Sequence, residues 1–85
     1  MDMRRLVGRN VRRARQAKGL TQEQLAEGAG FSQKYVSDLE RGLENPTVIT
    51  LFELAQRLDT TPVALITPDE EAIRETGKAN GLRTK

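Results

Sequence analysis

Gly19-Leu20-Thr21-Gln22-Glu23-Gln24-Leu25-Ala26-Glu27-Gly28-Ala29-Gly30-Phe31-Ser32-Gln33-Lys34-Tyr35-Val36-Ser37-Asp38-Leu39-Glu40-Arg41-Gly42 holds two helix starts and three stops within 24 residues. Thr21-Gln22-Glu23-Gln24 has the form of a capping box: the Thr21 hydroxyl accepts from the third helical amide, and Gln24 reaches back to the N–H of the cap. Leu25, Ala26 and Ala29 then supply a buried stripe. Gly28 and Gly30 mark the end, since glycine enters the left-handed region without a Cβ clash. Ser32 is the next N-cap, Val36 and Leu39 face inward, and Gly42 closes a helix that runs to about Arg41. The outcome is two capped helices, about 22–29 and 33–41, joined by a turn of some three residues around Gly30: a helix-turn-helix.

Outward from this pair the same punctuation continues. Towards the N-terminus, Leu6 to Lys18 places Val7, Val11 and Ala14 on one helical face, with arginines over most of the rest, and Gly19 stops it. Towards the C-terminus, Pro46 biases Asn45 to extended geometry, and Thr47 caps a fourth helix in which Val48, Leu51, Ala55 and Leu58 recur at three- and four-residue steps. Asp59 terminates it. Thr61-Pro62 reads as cap and first-turn proline of a short fifth helix holding Val63, Leu65 and Ile66. No window alternates with the period of a strand. The expected architecture is therefore all-α, a compact five-helix bundle over residues 1–66. A short helix and mobile tail over 67–85 follow, where only Ala72 and Ile73 offer apolar area before Gly77.

Composition narrows the chemistry. With 85 residues the chain can build one small core and no second. It has no Cys and no His, which removes thiolate catalysis, cysteine-based zinc sites, and the commonest general base and metal ligand. Neither a cofactor, a metal nor a small-molecule ligand is called for. No apolar run reaches signal-peptide or bilayer length, so a cytoplasmic, membrane-free protein is expected. The net charge is only +2, but its distribution is uneven: up to Lys18, seven basic residues (Arg4, Arg5, Arg9, Arg12, Arg13, Arg15, Lys18) face Asp2 alone. That end carries the positive potential a phosphate backbone seeks, with Arg12 and Arg13 as candidate phosphate contacts.

A helix fits the DNA major groove, and in a helix-turn-helix the second helix brings its N-terminal and outward residues to base edges while the first crosses the backbone. With Val36 and Leu39 committed to the core, the outward residues are Gln33, Lys34, Ser37 and Asp38. A glutamine amide makes paired hydrogen bonds to adenine, lysine donates to guanine acceptors, and Ser or Asp meets further bases.

The sequence resembles the phage repressor and Cro family of helix-turn-helix proteins, also called the xenobiotic response element family. The matching residues are Gly19 to Ala26, Gly30-Phe31-Ser32-Gln33, Tyr35 to Gly42 and Asn45-Pro46-Thr47, and the likeness covers about residues 6 to 66. It implies a lambda-repressor-like fold and several roles. Gln22 would contact a phosphate and brace Gln33, which would bond a base; Thr21 and Arg41 would lie near the DNA backbone; Asn45 would present the following loop to a phosphate. Arg15 and Glu40 occupy positions where family members form a partly buried ion pair. Tyr35 is open between a phosphate contact and ring packing in the core. Two positions depart from the family pattern: Ala14, where a larger aliphatic residue is usual, and Asp59, where glycine is common.

One short recognition helix reads few base pairs, so a homodimer on a palindromic operator of double-stranded DNA is expected, with Val63, Ile66 and Ile73 at its interface. The rival reading is an antitoxin-like interaction module whose C-terminal segment binds a partner protein. An enzyme is disfavoured, because no nucleophile and base can be paired without His or Cys. Asp69, Glu70 and Glu71 read as helix-start charges, and Gly28-Ala29-Gly30 lacks the third glycine and preceding strand of a dinucleotide site.

Overall fold

A computed structural model describes residues 2–68 of the chain. The short helix and tail expected beyond Pro68, with Ile73 in it, lie outside the described residues. Five helices follow in order: α1 (Met3–Ala17), α2 (Gln22–Ala29), α3 (Gln33–Glu40), α4 (Val48–Arg57) and α5 (Pro62–Leu65). No strand occurs among the described residues.

Each start is set by a side-chain cap. Thr21 accepts from the Gln24 N–H at 3.0 Å while Gln24 Oε1 accepts from the Thr21 N–H at 2.9 Å, completing the capping box. Ser32, Thr47 and Thr61 accept from Tyr35, Thr50 and Ala64 at 3.0, 3.1 and 3.1 Å. α1 begins three residues before the expected Leu6, because Asp2 caps it, accepting from Arg4 and Arg5 amides at 3.0 and 3.4 Å. α3 stops one residue early, with Arg41 as its C-cap.

The core is one cluster drawn from every helix: Val7 and Val11 of α1, Leu25 and Ala26 of α2, Val36 and Leu39 of α3, Leu51, Leu54 and Ala55 of α4 with Leu58 behind it, and Leu65 of α5. Two expectations need correction, at Val48 and Gly28. Val48 is 75% exposed rather than inward, because the buried stripe of α4 starts one turn later at Leu51 and includes Leu54. In α5 only Leu65 enters the core, while Val63 and Ile66 stay exposed, as an interface role for them requires. Gly28 lies inside α2 instead of ending it; Gly30, at φ +85°, is the left-handed cap, and a Cβ on Gly28 would meet the Arg57 side chain.

Besides its share of the core, α1 makes two close contacts with neighbouring backbone. Gly8 sits against the end of α3, where an added Cβ would lie 2.3 Å from the Leu39 carbonyl oxygen and 2.8 Å from that of Glu40. Asn10 donates from Nδ2 to the carbonyl oxygens of Leu65 and Thr67 at 3.0 and 3.1 Å, satisfying acceptors that the C-terminus of α5 leaves open.

Candidate nucleic-acid interface

α2 and α3 pack against one another across a turn of three residues, Gly30 to Ser32, and the first residue of α3, Gln33, stands exposed at the corner. Its amide is not loose. Gln33 Nε2 donates to Gln22 Oε1 at 3.1 Å, and Gln22 Nε2 donates to Glu40 Oε1 at 3.0 Å. The Glu40 carboxylate is held in turn by Arg15, through Nε to Oε2 at 2.7 Å and Nη2 to Oε1 at 3.0 Å. Arg15 Nη1 also donates to the Leu20 carbonyl at 2.9 Å. The Glu40 side chain is only 3% exposed and that of Arg15 12%. A two-pronged guanidinium–carboxylate pair of this burial is a rigid anchor, because either partner alone would be a stranded charge.

The other outward residues of α3 are arranged around Asp38. Lys34 Nζ donates to Asp38 Oδ2 at 2.8 Å, and Arg41 Nη1 reaches Asp38 Oδ1 at 3.5 Å. The lysine side chain is 84% exposed and the arginine 66%, against 17% for Asp38. Both cations are thus presented on one ridge with Asp38 tucked between them, and Ser37 is half-buried beside it. Pairs of this exposure contribute little to stability and exchange partners readily.

Tyr35 is placed more firmly. Its ring stacks on Phe31, centroids 5.2 Å apart at 29°, and both pack against the core cluster. Its hydroxyl lies beside the Thr50 side chain of α4. Burial pushes the phenol above its ordinary value, the Thr50 side chain opposes that, and the Glu44 charge adds to it. Thr21, Asn45, Arg12 and Arg13 are all exposed, Thr21 with its hydroxyl engaged in the cap of α2.

Most candidate residues therefore share the α2–α3 face, with Arg12 and Arg13 exposed on α1. Three features escaped the sequence reading: the Gln22–Glu40 bond, the Asn10 clamp and the close approach at Gly8. Only the last had a visible signal, a lone glycine inside a helical pattern, which marks close packing.

Two capped helices about a left-handed glycine, with a braced glutamine and two cations along the second, define a helix-turn-helix DNA-binding protein. The helix-turn-helix family HTH_3 matches residues 11–65, and the chain belongs to it. It is 61% identical over 71 residues to y4dJ, a helix-turn-helix-type transcriptional regulator of Sinorhizobium fredii, covering 84% of this chain and 92% of that one. Among solved structures, a hypothetical transcription factor from Neisseria superposes with a TM-score of 0.78 at 31% identity, covering 88% of this chain and 86% of the other. The restriction-modification controller protein C.AhdI of Aeromonas hydrophila gives 0.71 at 39% identity, covering 73% and 94%. The resemblance read from the sequence is borne out: the chain is a DNA-binding transcriptional regulator, from a family of regulators rather than of enzymes. No helix among the described residues is long and apolar enough to cross a membrane.

Proposed function

We propose that this regulator seats α3 in the major groove of a palindromic operator as a cytoplasmic homodimer, with Gln33 and Lys34 at base edges and Ser37 and Asp38 flanking them. The observation that carries the reading is the exposed Gln33 amide held through Gln22 to the buried Glu40–Arg15 pair, since base readout needs a polar group fixed before it docks. Lys34 and Arg41 exchange Asp38 for acceptors on the DNA. Thr21, Gln22, Asn45, Arg12 and Arg13 line the phosphates. The Tyr35 ring, stacked on Phe31 and packed against the core, supports a packing role for that residue over a phosphate contact. A second copy, covering exposed Val63 and Ile66, doubles the sequence read, with half-sites roughly 34 Å apart.

Gel-shift titration against salt tests this. The logarithm of the binding constant should fall with the logarithm of salt concentration by about 0.9 per phosphate contact. Arg12→Ala should weaken binding to every sequence alike and flatten that slope by about one unit. Gln33→Ala and Lys34→Ala should instead relax sequence preference, and unchanged operator choice in both would overturn the assignment of α3 as the reading helix. Salt-insensitive, negligible DNA binding would favour the protein-partner reading instead.

A further inference from the structure

We propose that Glu40, which touches no DNA, sets the sense of the Gln33 amide and thereby makes adenine the base that Gln33 selects. The inference rests on α3 being the reading helix. An ionised carboxylate carries no proton, so only an N–H can face it. Gln22 must therefore turn Nε2 to Glu40, where the 3.0 Å bond lies, and Oε1 away from it. That oxygen meets Gln33, and an oxygen can be bonded there only by a donor, so Gln33 turns Nε2 inward at 3.1 Å. One N–H of Gln33 is spent on this bond. Its carbonyl oxygen and second N–H remain, side by side on one edge of the amide, with the nitrogen end fixed.

That edge is a donor beside an acceptor in a single direction. Adenine offers the complement in the major groove, the N7 acceptor beside the N6 amino donor, whereas guanine offers two acceptors, N7 and O6, so the fixed carbonyl would confront O6. Thymine and cytosine each present one polar group. An unrestrained glutamine could turn its amide end over end and tolerate more bases. The Arg15 pair completes the device: by occupying both Glu40 oxygens at 2.7 and 3.0 Å, it keeps the carboxylate in place. Glu40 is a positioning residue, acting through two amides on a base it never contacts.

The test uses the full chain and duplexes selected by it from a random DNA pool. Gln33→Ala first identifies the base pair at issue, as the position whose preference for adenine, expected to be about five- to hundredfold, disappears. Glu40→Gln and, separately, Gln22→Met are then titrated against duplexes carrying adenine or guanine at that position. Gln22→Met breaks the relay while leaving the Arg15–Glu40 pair intact, so it remains informative if Glu40→Gln folds poorly. Both variants should lower the adenine-to-guanine affinity ratio about fivefold, the worth of one orienting hydrogen bond. A purely structural Glu40 would lower both affinities in proportion and leave the ratio untouched. Loss of preference in Gln33→Ala with the full ratio kept in both other variants overturns the relay and leaves the reading helix standing; preference kept in Gln33→Ala overturns both.

Discussion

Tyr35, the sole tyrosine of the chain, reports on the joint between α3 and α4. Burial among Phe31 and the core disfavours the phenolate, and the Thr50 side chain offsets this only in part, so the folded-state value stands above 10.0. The unfolded chain then releases this proton more readily than the folded one. Stability linked to Tyr35 is therefore fully present below about pH 10 and is lost as pH rises through the higher folded-state value. Absorbance of tyrosinate, unambiguous with one tyrosine, should titrate with a midpoint above 10.0 in the native protein and nearer 10.0 in denaturant. A native midpoint at or below the denatured one would contradict the packing described. Asp59 makes a different point at the same scale. It stands where family members often have glycine, and it does adopt the glycine-like conformation, at φ +57°. Aspartate tolerates that region better than most residues. Its exposed carboxylate pairs with Lys18, which holds its pKa below the ordinary carboxylate value and ties the α4–α5 turn to the end of α1.

Among the elements, α1 determines where α3 stands, and Gly8 determines how closely α1 can approach it. A methyl group there would overlap backbone oxygens of Leu39 and Glu40, which no rotamer change can clear. Gly8→Ala gains about 1 kcal/mol of helix propensity, yet the overlap forces α1 and α3 apart. A net loss of about 1–3 kcal/mol is expected, read as a Tm lower by about 5 °C or more. An unchanged or higher Tm would show that the helices have room to separate. The helices themselves were largely legible in the sequence, because Thr21, Ser32, Thr47 and Thr61 act on amides three residues away and glycines stop chains locally. The helix-turn-helix and its outward residues Gln33 and Lys34 were legible for the same reason. What depends on a partner distant in sequence was not. Nothing around Val48 says that the core begins a turn later, nothing around Asn10 says that it meets carbonyls more than 50 residues on, and nothing around Gln22 reveals Glu40.

For the molecule as a whole, the open question is what covers its apolar surface. Val63 and Ile66 are 67% and 40% exposed, and α4, packed on α5, adds Val48, Ile49 and Phe52 at 75%, 68% and 46%. Large apolar side chains on neighbouring helices in so small a chain support the proposed dimer, because a second copy would take them out of water. A recognition helix of eight residues, Gln33–Glu40, has reason to be used twice, since one copy contacts too few base pairs for a regulator to find its operator among competing sites. Sedimentation equilibrium at micromolar concentration should therefore give twice the mass of one chain. Val63→Asp with Ile66→Asp should raise the dissociation constant of the dimer about thirtyfold or more, and weaken operator binding in parallel. The substituted side chains are exposed in the single chain, so the unfolding of the monomer should barely change, which separates lost association from lost folding. A wild-type chain that stays monomeric at high micromolar concentration, both free and on operator DNA, would leave these residues without the role assigned to them, and each half-site would then have to be read alone.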